Sequence, residues 1–113
     1  MKLKEIVDKL GLKAFTPEIS LDVDVTSGYT SDLLSDVMGN SKKGQVWITL
    51  QIHQNIVAVA KLKELAGIIL VNNRKPDEET LEKAKEEGIP LLSASETTFN
   101  VSGKIYQLTG ADE

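Results

Sequence analysis

The single histidine and one pair of aspartates are the side chains best suited to acid–base chemistry in this sequence. His53 follows an alternating apolar segment, while Asp32 and Asp36 stand four residues apart and would share one face of a helix. A metal site would need further ligands, but the chain has one histidine and no cysteine. A structural or surface role explains His53 better than catalysis, and capping with solvation explains the two aspartates better. We expect no catalytic residue, no metal site and no cofactor.

Phosphoryl transfer would need a phosphate-binding loop, and one glycine–lysine pair in the sequence matches part of the pattern of such a loop. Gly103 and Lys104 are adjacent, but a P-loop would also require glycine at position 98 and serine or threonine at position 105. Thr98 and Ile105 occupy those positions. With no nucleophile paired to a base, we expect that the chain is not an enzyme.

The segment 26–32 has the composition of an anion-binding turn. A glycine flanked by hydroxyl residues precedes a predicted helix, so its backbone N–H groups could bind phosphate or carboxylate. An ordinary strand-to-helix turn explains the same residue types equally well. The candidate ligand-binding residues of this segment are Thr26, Ser27, Gly28, Tyr29, Ser31 and Asp32.

A second polar segment, the polar elbow, follows the central predicted strand at 46–51. Its candidate residues are Gln51, His53, Gln54 and Asn55. In an open α/β sheet, ligands bind where the carboxyl end of a strand meets the N-terminus of a helix. Asn73 and Arg74 follow the next buried strand and are expected at the rim. The sequence therefore predicts that these segments converge on one site for a small anion or nucleotide.

Other patterns predict the elements that must position these side chains. Helical spacing predicts a helix from Leu3 to Leu10 that Gly11 ends, followed by a brief strand at 12–15. Alternation over 19–29 predicts a strand with one wet face, antiparallel or at a sheet edge. The predicted N-caps of later helices are Ser31 or Asp32, Asp77 and Ser95, and glycines at 88 and 110 are expected to end two of these helices.

From residue 46 onward the pattern is β-α-β-α-β. Strands are predicted at 46–51, 67–71 and 90–92, with the most buried helix at about 55–66. This order favours right-handed crossovers and a parallel sheet. We therefore predict an α/β fold: a mainly parallel sheet with helices on both faces, a three-layer βαβαβ core and an added N-terminal strand. Trp47 is expected to pack under a helix or across a subunit interface.

Composition limits the class of protein. The 113 residues fit a single domain, 1–113, with a net charge of −4 and five aromatic side chains. A nucleic-acid interface would show a basic stripe with stacking rings, and a membrane span would need about 20 apolar residues. Neither pattern is present, and the charged start lacks the apolar core of a signal peptide. The absence of cysteine fits a reducing compartment, so we expect a cytoplasmic protein.

Three segments, 22–38, 44–53 and 65–69, give the chain a family resemblance. Together they resemble a stand-alone DRTGG domain, and the likeness runs from Leu3 to about Leu108. Thr26 and Gly28 match the family motif, whose acidic residue would be Asp22 or Asp24. Valine at 23 or 25 stands in the place of the arginine of the motif, and Ser27 replaces a glycine.

The resemblance, rather than the residue patterns, implies a biological role. DRTGG domains are similar to the N-terminal domains of HPr kinase/phosphorylase and of Mur ligases, and they accompany CBS pairs, pyrophosphatases and acyltransferases as regulatory or dimerising modules. The favoured hypothesis is a non-catalytic regulatory or ligand-sensing module that works as a homodimer or with a separate enzyme subunit. The alternatives are a small enzyme or kinase-associated accessory subunit using His53 and Asp32, and a purely structural adaptor.

Overall fold

Helices and strands alternate along most of the chain in the structure, a computed structural model that describes residues 1–110. The helices are α1 (Leu3–Leu10), α2 (Leu34–Asn40), α3 (Asn55–Lys63), α4 (Glu78–Glu87) and α5 (Thr98–Thr109). The strands are β1 (Lys13–Ala14), β2 (Gly28–Thr30), β3 (Val46–Thr49), β4 (Gly67–Leu70) and β5 (Leu91–Ser93). No helix in this part of the chain has the length and apolar character that crossing a membrane requires.

The strands form one sheet in the order β1-β5-β4-β3-β2. Strands β2, β3, β4 and β5 are mutually parallel, and β1 pairs with β5 in the antiparallel sense. The connections from β2 to β3, from β3 to β4 and from β4 to β5 each lead to the adjacent strand, always in the same direction across the sheet. Because all three crossovers are right-handed, α2, α3 and α4 lie on one face. Helices α1 and α5 cover the other face. The predicted α/β fold with helices on both faces is confirmed, as are the three parallel strands after residue 46.

The sheet separates two apolar cores, because alternate residues of each buried strand point to opposite faces. The core under α2, α3 and α4 includes Val37, Trp47, Ile56, Val57, Ala60, Ile68, Leu70 and Leu91. The core under α1 and α5 includes Leu3, Ile6, Ile48, Ile69, Leu92, Val101 and Ile105. The unbroken apolar run of β4 is explained by this arrangement, since every residue of β4, like every residue of β3, is buried. Trp47 lies under helices of its own chain, so the subunit-interface alternative is wrong.

The ends of several helices follow the sequence signals. Gly11 and Gly88 adopt left-handed backbone conformations with φ of 66° and 71° and end α1 and α4 as predicted. Helix α3 has four buried residues but ends at Lys63, earlier than the predicted boundary near residue 66. Glu64 takes the left-handed conformation with φ of 55°, and the chain then enters β4.

The predicted strand over 19–29 is wrong for most of its length. Only Gly28–Thr30 joins the sheet, as an edge strand parallel to β3. The upstream alternation has a different cause: the carbonyls of Leu21 and Val23 accept hydrogen bonds from the first turn of α1. The apolar side chains of this segment pack on the α1–α5 core, while Asp22 and Asp24 form ion pairs with Lys2. Both alternatives therefore hold in part: Gly28–Thr30 is an edge strand, and upstream Asp24 forms an isolated antiparallel bridge with Lys2.

Two predicted N-caps are also wrong. Helix α2 begins after Leu33, with no side-chain cap, because the carboxylate of Asp32 is engaged by the end of β3. The hydroxyl of Ser31 accepts a hydrogen bond from the backbone N–H of Leu33 outside the helix. Helix α5 is capped by Thr97, whose hydroxyl accepts from the backbone of Asn100, and Ser95 lies upstream of the cap.

Candidate functional site

The four parallel strands end at the same edge of the sheet, which we call the carboxyl edge. Chain segments following β2, β3, β4 and β5 meet there: 31–32, 50–55, 71–74 and 94–96. Backbone hydrogen bonds join neighbouring segments, from Val71 N–H to the Thr49 carbonyl and from Asn73 N–H to the Ala94 carbonyl. The segments at the carboxyl edge are therefore held together by backbone hydrogen bonds.

Asp32 fixes one corner of this edge. One of its carboxylate oxygens, Oδ1, accepts hydrogen bonds from the Thr49 hydroxyl at 2.8 Å and from the Leu50 backbone N–H at 2.7 Å. Its backbone carbonyl accepts from the side-chain amide of Gln51 at 2.8 Å. A carboxylate that accepts a backbone N–H makes a charge-assisted bond, which is stronger than a neutral one. Asp32 thus ties the end of β2 to the end of β3.

The polar elbow has a preformed shape. The His53 ring nitrogen Nδ1 accepts from the Asn55 backbone N–H at 3.1 Å, which leaves Nε2 as the protonated nitrogen of the neutral ring. The N–H groups of Ile56 and Val57 bond to the carbonyls of His53 and Gln54. The backbone N–H groups of Asn55, Ile56 and Val57 at the start of α3 are therefore already hydrogen-bonded within the protein. The elbow instead presents exposed side-chain amides and the imidazole.

The loop after β4 borders the elbow. Asn72 and Asn73 both take left-handed conformations, with φ of 58° and 55°, which asparagine tolerates better than most residues. Arg74 is exposed and forms no ion pair with any residue that the structure describes. The rest of the elbow is fixed to α4, because the Ile52 carbonyl accepts from the hydroxyl of Thr80 at 2.6 Å. Asn73 and Arg74 lie at the same edge as the elbow, as expected.

Three candidate residues lie at the opposite edge of the sheet. Thr26 and Ser27 precede β2, and Gly28 begins it opposite Val46, the first residue of β3. The predicted convergence of the whole 26–32 segment with the elbow is therefore wrong, and only its last residues reach the carboxyl edge. The buried hydroxyl of Ser27 accepts from the side chain of Gln45 at 3.0 Å, which is a structural contact.

Gly28 is a packing glycine. A Cβ atom added there would lie 2.8 Å from Cγ2 of Ile105 and 3.4 Å from Cδ1 of Ile48. The missing side chain allows α5 to lie directly on β2. Gly28 thus allows the close approach of a helix.

Tyr29 on β2 and Asp36 on α2 form a second structural pair. The Tyr29 hydroxyl donates to Oδ2 of Asp36 at 2.8 Å. Hydrogen bonds from Ser31, Tyr29 and Asn40 hold the pKa of Asp36 below its usual range. Burial and the bond to Asp36 raise the pKa of Tyr29. Asp32 and Asp36 therefore have separate partners, and the Tyr29 hydroxyl is hydrogen-bonded within the protein.

The structure brings together polar groups that the sequence did not single out. A cavity of about 260 Å³ at the carboxyl edge, the Lys13 cavity, is lined by Gly11, Lys13, Asn73, Ser93 and Ser95. Ser93 at the end of the last buried strand and Ser95 just beyond it were a usable signal, because hydroxyls at the carboxyl end of a parallel strand belong to this edge. Lys13 had no such signal, since its pairing with β5 is a tertiary contact. In residues 1–110 no three histidine, cysteine, aspartate or glutamate residues are grouped as metal ligands.

Comparison with known proteins gives two findings. The family model described as the DRTGG domain matches residues 30–108, more than two thirds of the chain. The fold is also similar to a crystal structure of the CBS and DRTGG domains of the regulatory region of Clostridium perfringens pyrophosphatase, complexed with the activator diadenosine tetraphosphate. The TM-score is 0.67 at 17% sequence identity, over 93% of this chain and 46% of that chain. The present chain thus spans about half the length of that regulatory structure.

Proposed function

The chain belongs to the DRTGG domain family, and from that membership we propose that it is a non-catalytic regulatory module that senses a small anion or nucleotide and acts with a separate enzyme. The similar Clostridium perfringens structure is a regulatory region bound to a nucleotide activator. That likeness supports the same class of role here. The proposal also includes a single domain over 1–113, a cytoplasmic location and kinship with the N-terminal domains of HPr kinase/phosphorylase and Mur ligases.

The observation that carries the proposal is the preformed corner at the carboxyl edge. Asp32 holds the ends of β2 and β3 together through two hydrogen bonds to one oxygen. The exposed amides of the elbow then face solvent from a fixed framework, together with the guanidinium of Arg74, which has no ion-pair partner within residues 1–110. Neutral donors with one nearby cation suit an anion that is partly solvated. The proposed ligand residues here are Ser31, Asp32, Gln51, His53, Gln54, Asn55, Asn73 and Arg74.

Amide chemical shifts test the proposal directly. Purified chain labelled with ¹⁵N is titrated with inorganic phosphate, adenosine monophosphate and diadenosine tetraphosphate at constant ionic strength. We expect shifts in 51–55 and 72–74. The variant Arg74→Gln should weaken binding, while Lys43→Gln, which alters an exposed lysine before β3 at the opposite edge, should not.

Two results would contradict this function. If no compound moves any amide at millimolar concentration, the chain has no small-anion site of the proposed kind. If purified chain turns over a phosphorylated compound and His53→Ala abolishes turnover, the non-catalytic role is wrong.

The proposed partner is a second copy of the chain or an enzyme subunit. A groove of about 360 Å³ between α2 and α3 is lined mainly by apolar groups, including Leu34, Met38 and Leu62. Cyclic two-fold dimers are the commonest soluble oligomers, which favours a second copy. Sedimentation equilibrium at tens of micromolar should detect a dimer that Leu62→Glu dissociates. Phe99→Glu is the matched control, since Phe99 is also exposed but lies on α5. If the unaltered chain sediments as a 12.3 kDa species, the self-association proposal is contradicted.

A further inference from the structure

The Lys13 cavity lies where β1 begins and β5 ends, beside the loop after β4. Lys13 is directly opposite Ser93 in the antiparallel pair. Directly opposite residues project to the same face of a sheet, with Cβ atoms about 5 Å apart. Ser95 follows two residues later and also lines the cavity, so one lysine and two serines border the same small space.

The donors in this cavity have no internal partners. Within residues 1–110, the Lys13 ammonium and the hydroxyls of Ser93 and Ser95 make no hydrogen bond or ion pair with the protein. Glu96, the nearest acidic residue along the chain after Ser95, is bound by Lys104 at 2.6 Å. The positive charge of Lys13 is therefore not offset by a bound carboxylate.

Backbone hydrogen bonds hold one wall of the cavity in place in the absence of a ligand. Asn73 donates its backbone N–H to the Ala94 carbonyl, and Asn72 donates to the Glu96 carbonyl, both at 2.9 Å. These bonds hold the two loops together and keep the Asn73 side chain at the cavity. A preorganised site loses less conformational entropy on binding than a mobile one.

We infer that the Lys13 cavity binds a phosphoryl group, either free phosphate or the terminal phosphate of a nucleotide or other phosphate ester. An ammonium, two hydroxyls and an amide supply several donors around one point, which suits a tetrahedral oxyanion with three or four acceptor oxygens. A carboxylate carries a smaller charge than a phosphate dianion, and its two oxygens lie in one plane, so it suits donors arranged around a cavity less well. The volume of about 260 Å³ exceeds that of a single water, which occupies roughly 30 Å³ in the liquid.

This inference rests on the proposed sensing function and gives its ligand an orientation. Asn73 belongs both to the Lys13 cavity and to the rim of the elbow. Strands β5 and β3 are separated only by β4, so their ends lie about 10 Å apart, two strand spacings. A nucleotide with its phosphate in the Lys13 cavity would extend along the carboxyl edge toward Gln51–Asn55.

The test compares matched lysine variants of the full chain. Inorganic phosphate, adenosine monophosphate and sodium acetate are titrated at constant ionic strength, with amide shifts and calorimetry as readouts. We expect phosphate and its ester to shift Lys13, Asn73 and Ser95, and acetate to bind more weakly. Lys13→Gln should raise the Kd for both phosphate compounds about tenfold, the loss of one charge-assisted hydrogen bond. Lys13→Arg should retain most of the affinity, and Lys43→Gln should retain all of it.

The outcomes separate this inference from the broader function. If adenosine monophosphate shifts only 51–55 and binds Lys13→Gln with unchanged Kd, the cavity assignment is wrong while ligand sensing stands. If acetate binds as tightly as phosphate, the phosphoryl assignment is wrong. If no compound binds, both the inference and the sensing function fail. Equal thermal unfolding of Lys13→Gln and the unaltered chain shows that a loss of affinity comes from the site.

Discussion

Replacing Gly28 with alanine tests the packing explanation of this residue against a ligand-binding one. The added Cβ would lie 2.8 Å from Cγ2 of Ile105, whereas carbon atoms in contact prefer about 3.5–4.0 Å. Cγ2 is attached to Cβ of Ile105, so it cannot move by rotating a flexible chain end. Relief requires that α5 shift or that Ile105 leave its rotamer.

The expected cost follows from two opposing effects. Overpacking of a buried contact costs about 1–3 kcal/mol. The φ of Gly28 is not positive, so alanine is allowed there and stabilises by about 0.4–1 kcal/mol through the unfolded state. We therefore expect Gly28→Ala to lower the free energy of unfolding by about 1–2 kcal/mol. For a domain of this size the melting temperature should fall by about 4–8 °C.

Urea unfolding followed by the fluorescence of Trp47, the sole tryptophan and fully buried, measures this change. Gly103→Ala is the matched control, because Gly103 lies within α5 and a Cβ added there meets nothing within 4 Å. That control should gain about 1 kcal/mol from helix propensity. In a double-mutant cycle, Ile105→Ala should reduce the cost of Gly28→Ala. A Gly28→Ala protein as stable as the unaltered chain would refute the close-packing argument.

Three other substitutions probe contacts that the structure assigns. Asp32→Ala removes the acceptor of two hydrogen bonds and should destabilise the chain by about 1–3 kcal/mol in urea unfolding, with Asp32→Asn less harmful. Tyr29→Phe should flatten both limbs of the stability–pH curve. Tyr29, with its raised pKa, contributes stability that is complete below about pH 10 and is lost as pH rises through the folded pKa. Asp36, with its lowered pKa, contributes stability that is complete above about pH 4 and is lost as pH falls through the folded pKa, and Tyr29 is one cause of that shift. Trp47→Phe leaves the Ser31 carbonyl without its 2.9 Å indole donor and should lower the melting temperature seen by circular dichroism.

Elements with continuous apolar runs could be predicted from the sequence alone. Strands β3 and β4 are buried throughout and helix α3 buries four residues, so their residue types identify them without knowledge of their neighbours. The β-α-β-α-β order then implied a parallel sheet, because other connections of that length are rare. The same reasoning located the polar elbow at the end of β3.

Sequence patterns gave wrong predictions where a tertiary contact determined the local structure. The alternation around Leu21 and Val23 is that of a strand, but their carbonyls bond to the first turn of α1 and not to the sheet. Asp32 has the residue type of a helix cap, but its carboxylate is held by Thr49 and Leu50, which are 17 and 18 residues away in sequence. A polar side chain bonds to the partners that folding brings close to it, and the local sequence does not show which partners these are.

The sequence by itself determined the order and type of the central elements and the polar character of the loops that end them. Only the tertiary structure decided which loops share an edge. It placed Thr26 and Ser27 at the amino ends of the strands, away from the elbow, and brought Lys13 beside Ser93 across 80 residues of chain. The physical reason is that strand direction and pairing are set by the burial of both sheet faces together. No single segment of the sequence contains that information.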